Sequence, residues 1–164
     1  MRSFRAAAAA AADTVVGAGL AACTPTVSLT PAPDANNPKC ADLMVALPDP
    51  LGDKERIHTD AQSTAAWGSD SEIILSCGVT EPAVSDLTCV TFAGIDWLVD
   101  NSEPPYYRVT SFGRSPAVQV FINTAQHVDS AEVLTRLAKT MTTFTSTGRK
   151  CTVAGETPTP TPTL

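Results

Sequence analysis

A two-layer α+β domain, an antiparallel sheet with helices packed on one face, is predicted by three features of this 164-residue chain. Apolar residues recur at helical spacing near residue 40 and again near residue 135. Between them lie short runs with the two-residue period of half-buried strands. Four cysteines, Cys40, Cys77, Cys89 and Cys151, are spread through the same region and offer a disulfide framework.

Asn37 is placed to cap a first helix with Pro38 in its opening turn. Cys40, Leu43, Met44 and Leu47 share one face until Pro48 stops it. Residues 48–53 (PDPLGD) read as a turn, and 63–68 (STAAWG) lead into an apolar strand over 72–78. The runs 88–92 and 95–99 are separated by Ala93-Gly94 alone, the spacing of a tight hairpin, although Ala93 is a poor first residue for one. Residues 106–112 and 117–122 form a further strand pair joined through Gly113 to Pro116, with Val118, Val120 and Ile122 on one face. Asp129 caps the last helix, with Glu132 three residues on. Val133, Leu134, Leu137, Ala138, Met141 and Phe144 fill one stripe of it, and Gly148 is expected to stop it. The order of helix, several strands, helix gives the two-layer domain.

Composition sets the surroundings. With 43% hydrophobic and 17% charged residues the chain has enough apolar side chains for one core. Arg2 and Arg5, a run of alanines and valines, and Leu20-Ala21-Ala22-Cys23 read as an export signal ending in a lipobox. The cysteine thiolate accepts a diacylglycerol group, and two acyl chains give the stable attachment that one does not. Asp13 is the costly residue of this signal, at roughly 2.5–3.5 kcal/mol for a carboxylate in an inserted segment. The expected organisation is a signal peptide over 1–22, lipidated Cys23 with a linker over 23–37, one globular domain over 38–153, and a disordered Pro/Thr tail over 154–164. The expected location is the extracytoplasmic face of the cell membrane.

Losing Arg2, Arg5 and Asp13 from 11 basic and 17 acidic residues leaves 9 and 16, a mature charge near −7. That balance disfavours nucleic acid, whose phosphates require a basic surface. Assigning Cys23 to lipid turns five cysteines into an even four, and three pairings remain open. Cys77 with Cys89, closing a short loop, and Cys40 with Cys151, tying the start of the domain to its end, are the favoured pair. Zinc is the rival use, but CxxC and CxH spacings are missing and export favours oxidation.

Templates for catalysis are sparse. The sequence has no GxSxG elbow, HExxH, phosphate-binding glycine loop or EF-hand spacing. His58 and His127 are the two histidines, expected in a polar loop and before a helix. Asp96, in a strand otherwise apolar on one face, must point outward or find a partner such as Arg56, Arg108 or Arg114. Asp96 with Asp100 or Glu103 would be a nonspecific carboxylate pair. Trp67 and Trp97 are expected in the core, and of Tyr106 and Tyr107 one is expected to be exposed. The leading expectation is a non-enzymatic binding or scaffold protein of the cell envelope, meeting an envelope protein or wall component through Arg114, Tyr106 or Tyr107, and Trp67. The alternative is a small-ligand or hydrolytic domain using Arg56, Asp96 and Arg114. Neither cofactor nor metal is expected.

Leu47-Pro48, Arg56, Thr64-Ala-Ala-Trp67-Gly68, Leu75-Ser-Cys77-Gly78-Val79, Gly94-Ile-Asp96-Trp97-Leu98 and Gly113-Arg114 span most of the domain. In these blocks and their spacing the chain resembles an actinobacterial family of small secreted or membrane-anchored proteins known as a domain of unknown function. Ser76 stands where a basic residue is common, and Ala93 where asparagine would suit the turn. The resemblance implies an exported envelope domain and carries over no catalytic residue.

Overall fold

The computed structural model describes residues 26–69, 71–83 and 85–152. The signal segment 1–22, Cys23 and the tail 154–164 lie outside these residues. Within them, ten strands and two helices follow in chain order. They are β1 (Thr26–Val27), α1 (Pro38–Ala46), β2 (Arg56–Thr59), β3 (Thr64–Trp67), β4 (Ile73–Val79), β5 (Thr88–Phe92), β6 (Ile95–Glu103), β7 (Tyr106–Phe112), β8 (Arg114–Ser115), β9 (Ala117–Asn123), α2 (Ser130–Thr140) and β10 (Thr145–Ser146).

Eight strands form one sheet in the order β1-β2-β3-β4-β9-β7-β6-β5, and β10 pairs separately with β8. The β1–β2 pair is parallel; the other strand pairs are antiparallel. The α+β expectation holds. Ala93 and Gly94 both take positive φ, 47° and 80°, as the two-residue hairpin requires.

Alternation along the strands divides the sheet. Ile73, Leu75 and Cys77 of β4, Val118, Val120 and Ile122 of β9, Val109 of β7 and Trp97 of β6 face one core with both helices. Cross-strand register keeps these residues together: Leu75 opposes Val120, which opposes Val109, which opposes Val99. From α1 come Cys40 and Leu43, and from α2 Val133, Leu134, Leu137 and Ala138. Each fully buried side chain of this kind stabilises by roughly 1.5–3 kcal/mol.

Caps sit where the sequence places them. Asn37 accepts from Lys39 N, and Asp129 accepts from the backbone N–H groups of Ala131 and Glu132. Glu132 reaches forward to Arg136 instead of closing a capping box. Helix α2 ends at Thr140, before Gly148, yet Met141 and Phe144 remain buried because the following turn keeps them against the sheet.

Two expectations are corrected. The disulfides are Cys40–Cys77 and Cys89–Cys151, each with Cα atoms 5.7 Å apart. A Cys77–Cys89 bond is excluded by topology, since β4 and β5 lie four strand spacings apart, about 19 Å. Residues 26–37 are also no free linker. Thr26 and Val27 pair with His58 and Thr59, Ala35 is buried, and Asp34 N donates to the Gly78 carbonyl at 2.9 Å. Gly78 permits that approach: its φ is +88°, and a Cβ there would collide with the Asp34 backbone.

A buried ion pair fixes the loop after α1 to the sheet. Lys54 Nζ lies 2.7 Å from Glu72 Oε2, with side chains 17% and 7% exposed. Lys54 also donates to the Gln126 carbonyl at 3.3 Å. The Glu72 carboxylate, by direct contact first and by its charge as well, holds Lys54 above its ordinary 10.5, against the opposing effect of burial. A raised pKa means that this stabilisation is complete below 10.5 and is lost as pH rises through the higher folded value. Melting temperature measured from pH 9 to 12 is therefore expected to fall less steeply above 10.5 in Lys54→Met than in the native protein. Parallel curves would refute the coupling.

Candidate functional site

The helix-free face of the sheet carries the candidate site at its β5–β6–β7 end. After β10 the chain crosses back over this face. Thr147 N donates to the Gly113 carbonyl at 3.1 Å, and Arg149 passes so close that a Cβ on Gly113 would collide with its backbone. Arg149 donates to the Pro82 carbonyl at 2.9 Å and lies 3.5 Å from Glu81 Oε1. Thr147 Oγ1 donates to the same carboxylate at 2.7 Å. The Cys89–Cys151 bond then fastens the segment to β5.

Asp96 sits beneath this crossing, with both carboxylate oxygens in use. Oδ1 accepts from Thr91 Oγ1 at 2.6 Å and Oδ2 from Cys151 N at 2.8 Å. Its work is to hold the returning chain, and the sequence expectation of an arginine partner is corrected. Arg114 donates through Nη2 to the Gly94 carbonyl at 3.1 Å and lines a cleft of about 230 Å³ with Asp96, Phe112, Arg149 and Lys150. A larger hollow of about 630 Å³ shares Phe112, Arg149 and Lys150 and adds Leu87, Leu98 and the Cys89–Cys151 bridge. Together they make a groove with an apolar floor and three cations along it.

The expected residues are only partly gathered there. Asp96 and Arg114 meet, while Arg56 lies on β2, five strand spacings or about 24 Å from β6. A pocket built from Arg56, Asp96 and Arg114 is therefore ruled out. Arg56 instead stacks over the Trp67 ring, 5.9 Å from its centroid. Trp67 is fully buried, and its Nε1 donates to the Pro48 carbonyl at 3.1 Å, so it offers no binding surface. Trp97 is equally buried.

The two tyrosines diverge as strand geometry requires. Tyr107 packs against the helix-covered core; Tyr106 is 43% exposed on the other face and stacks on Phe121 with ring centroids 5.5 Å apart. Arg108 beside them pairs with Glu103 at 2.8 Å. Asp100 accepts from Ser102, whose hydrogen bonds hold it below the usual carboxylate range, with a smaller contribution from Arg108. Asp100 and Glu103 thus each have a partner within the β6–β7 hairpin.

Sequence reasoning missed Arg149, Lys150, Leu87 and Leu98. Arg149 and Lys150 lie next to Cys151, but only the sheet order brings them beside Arg114. Among the described residues, no cluster of three or more His, Cys, Asp or Glu side chains is arranged to hold a metal ion. Among the same residues, no helix is long and apolar enough to cross a membrane.

The fold and groove define a disulfide-stapled two-layer α+β domain. A family model described as "Protein of unknown function (DUF3515)" matches residues 5–146, and the chain belongs to that family. No curated protein and no solved structure matches the chain.

Proposed function

We propose that the protein is an exported lipoprotein, anchored through Cys23 on the extracytoplasmic face of the membrane, that binds an acidic segment of another envelope component in the Arg114 groove. The observation carrying this reading is the groove itself: Arg114, Arg149 and Lys150 along a floor of Leu87, Leu98 and Phe112. On a chain with net charge −6, these three cations outnumber the two carboxylates beside them, Asp96 in the cleft and Glu81 against Arg149, and form a local exception. Charge complementarity speeds and orients encounter, while buried apolar contacts slow dissociation. The engagement of both Asp96 oxygens favours binding over proton transfer.

Crosslinked co-purification from membranes tests the reading, comparing the native protein with an Arg114→Ala/Lys150→Ala variant and with Tyr106→Ala. The double variant is expected to lose a specific partner roughly tenfold or more, the loss of about 1.4 kcal/mol or more. Tyr106→Ala, on the same face but at the other end of β7, is expected to retain it. A partner kept by the double variant and lost by Tyr106→Ala would move the contact surface to the Tyr106–Phe121 stack.

A further inference from the structure

We infer that the domain stands on the bilayer on its β1–β2 edge and holds the Arg114 groove on the side of the sheet away from the lipid; this rests on the anchoring proposed above. The segment following the anchor is bound down almost at once. Thr26 pairs with His58 and Val27 with Thr59, and Asp60 N donates to the Val27 carbonyl at 3.2 Å. The Asp60 carboxylate then receives Ser28 Oγ at 2.7 Å and Leu29 N at 2.9 Å, closing a clamp over residues 27–29. Further along, Ser63 Oγ donates to the Ala35 carbonyl at 2.6 Å and Asp34 N to that of Gly78.

Chain length turns this clamp into an orientation. Two residues separate Cys23 from Thr26, and an extended chain covers at most about 3.6 Å per residue step, so β1 begins within about 11 Å of the Cα of the lipidated cysteine. Strand β6, which carries Asp96, lies five strand spacings beyond β2, about 24 Å across the sheet. A mature charge near −7 opposes laying the domain flat on anionic headgroups, because surface potential acts on protein charge within a Debye length. Short tether, edge clamp and like charge together favour the upright pose. A partner then reaches the groove from the side of the envelope facing away from this membrane.

Energy transfer to the membrane surface tests the pose. The full-length protein, expressed in a host that processes lipoproteins, is placed in phosphatidylcholine vesicles containing phosphatidylglycerol and acceptor-labelled headgroups. One donor dye at a time is attached through His58→Cys, Ala93→Cys or Ser102→Cys. The roughly 24 Å of sheet between β2 and β6 is expected to make transfer from position 58 about threefold that from 93 or 102. Equal transfer from all three would overturn the upright pose. Asp60→Ala, which opens the clamp, is expected to cut transfer from position 58 by about half, as a tether longer by several residues lets the edge move away. Unchanged transfer in that variant would show that the clamp does not set the pose. Intact mass separates the two levels: a protein lacking diacylglycerol on Cys23 sinks the anchoring and the pose with it, whereas an acylated protein with equal transfer sinks the pose alone.

Discussion

Trp67→Ala is expected to destabilise the domain by about 3–5 kcal/mol, the range for truncating a buried aromatic side chain. The ring has no exposed surface, donates through Nε1 to the Pro48 carbonyl, and supports the Arg56 guanidinium. Truncation opens a cavity between β3 and the chain leaving α1 and strands the Pro48 carbonyl. Trp67→Phe keeps most of the bulk and removes the donor, so it should cost less. Urea unfolding followed by circular dichroism gives both values. A loss below about 1 kcal/mol for the alanine variant would mean that the site collapses around the gap.

Removing the Cys40–Cys77 bond by a double alanine substitution is expected to cost about 3–4 kcal/mol, the chain-entropy value for a closed loop of this length. The two residues are 37 apart and both fully buried. For a domain of this size each kcal/mol is worth several degrees, so the thermal midpoint should fall by roughly 10–20 °C. Calorimetry of the double variant beside the native protein measures it. An unchanged midpoint would mean that packing of α1 on β4 alone supplies the constraint.

The central strands and both helices were legible in the sequence because their period is set by a single buried face. Val118, Val120 and Ile122 alternate, and Val133, Leu134 and Leu137 follow a helical stripe. The β3 segment hid itself: all four of its residues, Thr64 to Trp67, are buried, so no alternation marks it. Strands β1, β8 and β10 are two residues each, too short to carry a period. Disulfide connectivity was illegible for a different reason. Separation along the chain does not report that Cys77 faces the helices with Cys40 while Cys89, opposite Leu98, faces the other side.

The candidate site was legible only in part. Arg114, Asp96 and the exposure of one tyrosine followed from local pattern. Trp67 drops out as a binding residue because β3 is buried on both faces, and Tyr107 because its face of β7 is core. Arg149 and Lys150 enter because a segment some 35 residues beyond Arg114 in the chain returns over the same three strands. That return is a product of topology, and a single sequence carries no local signal of it.

The Cys40–Cys77 bond also governs how the molecule carries load. Once the β1–β2 pairing and the Asp60 clamp have given way, tension applied at Thr26 travels along residues 28–40 and passes through the covalent bridge into β4, near the middle of the sheet. The 36 residues between the two cysteines, which include β2, β3, Trp67 and Lys54, lie outside that path. A pull that peels β1 from β2 is therefore met next by a covalent bond to β4, with β2 and β3 lying off the line of force. The bridge thus acts as a strain relief, carrying a pull at the start of the domain past β2 and β3 by a covalent route.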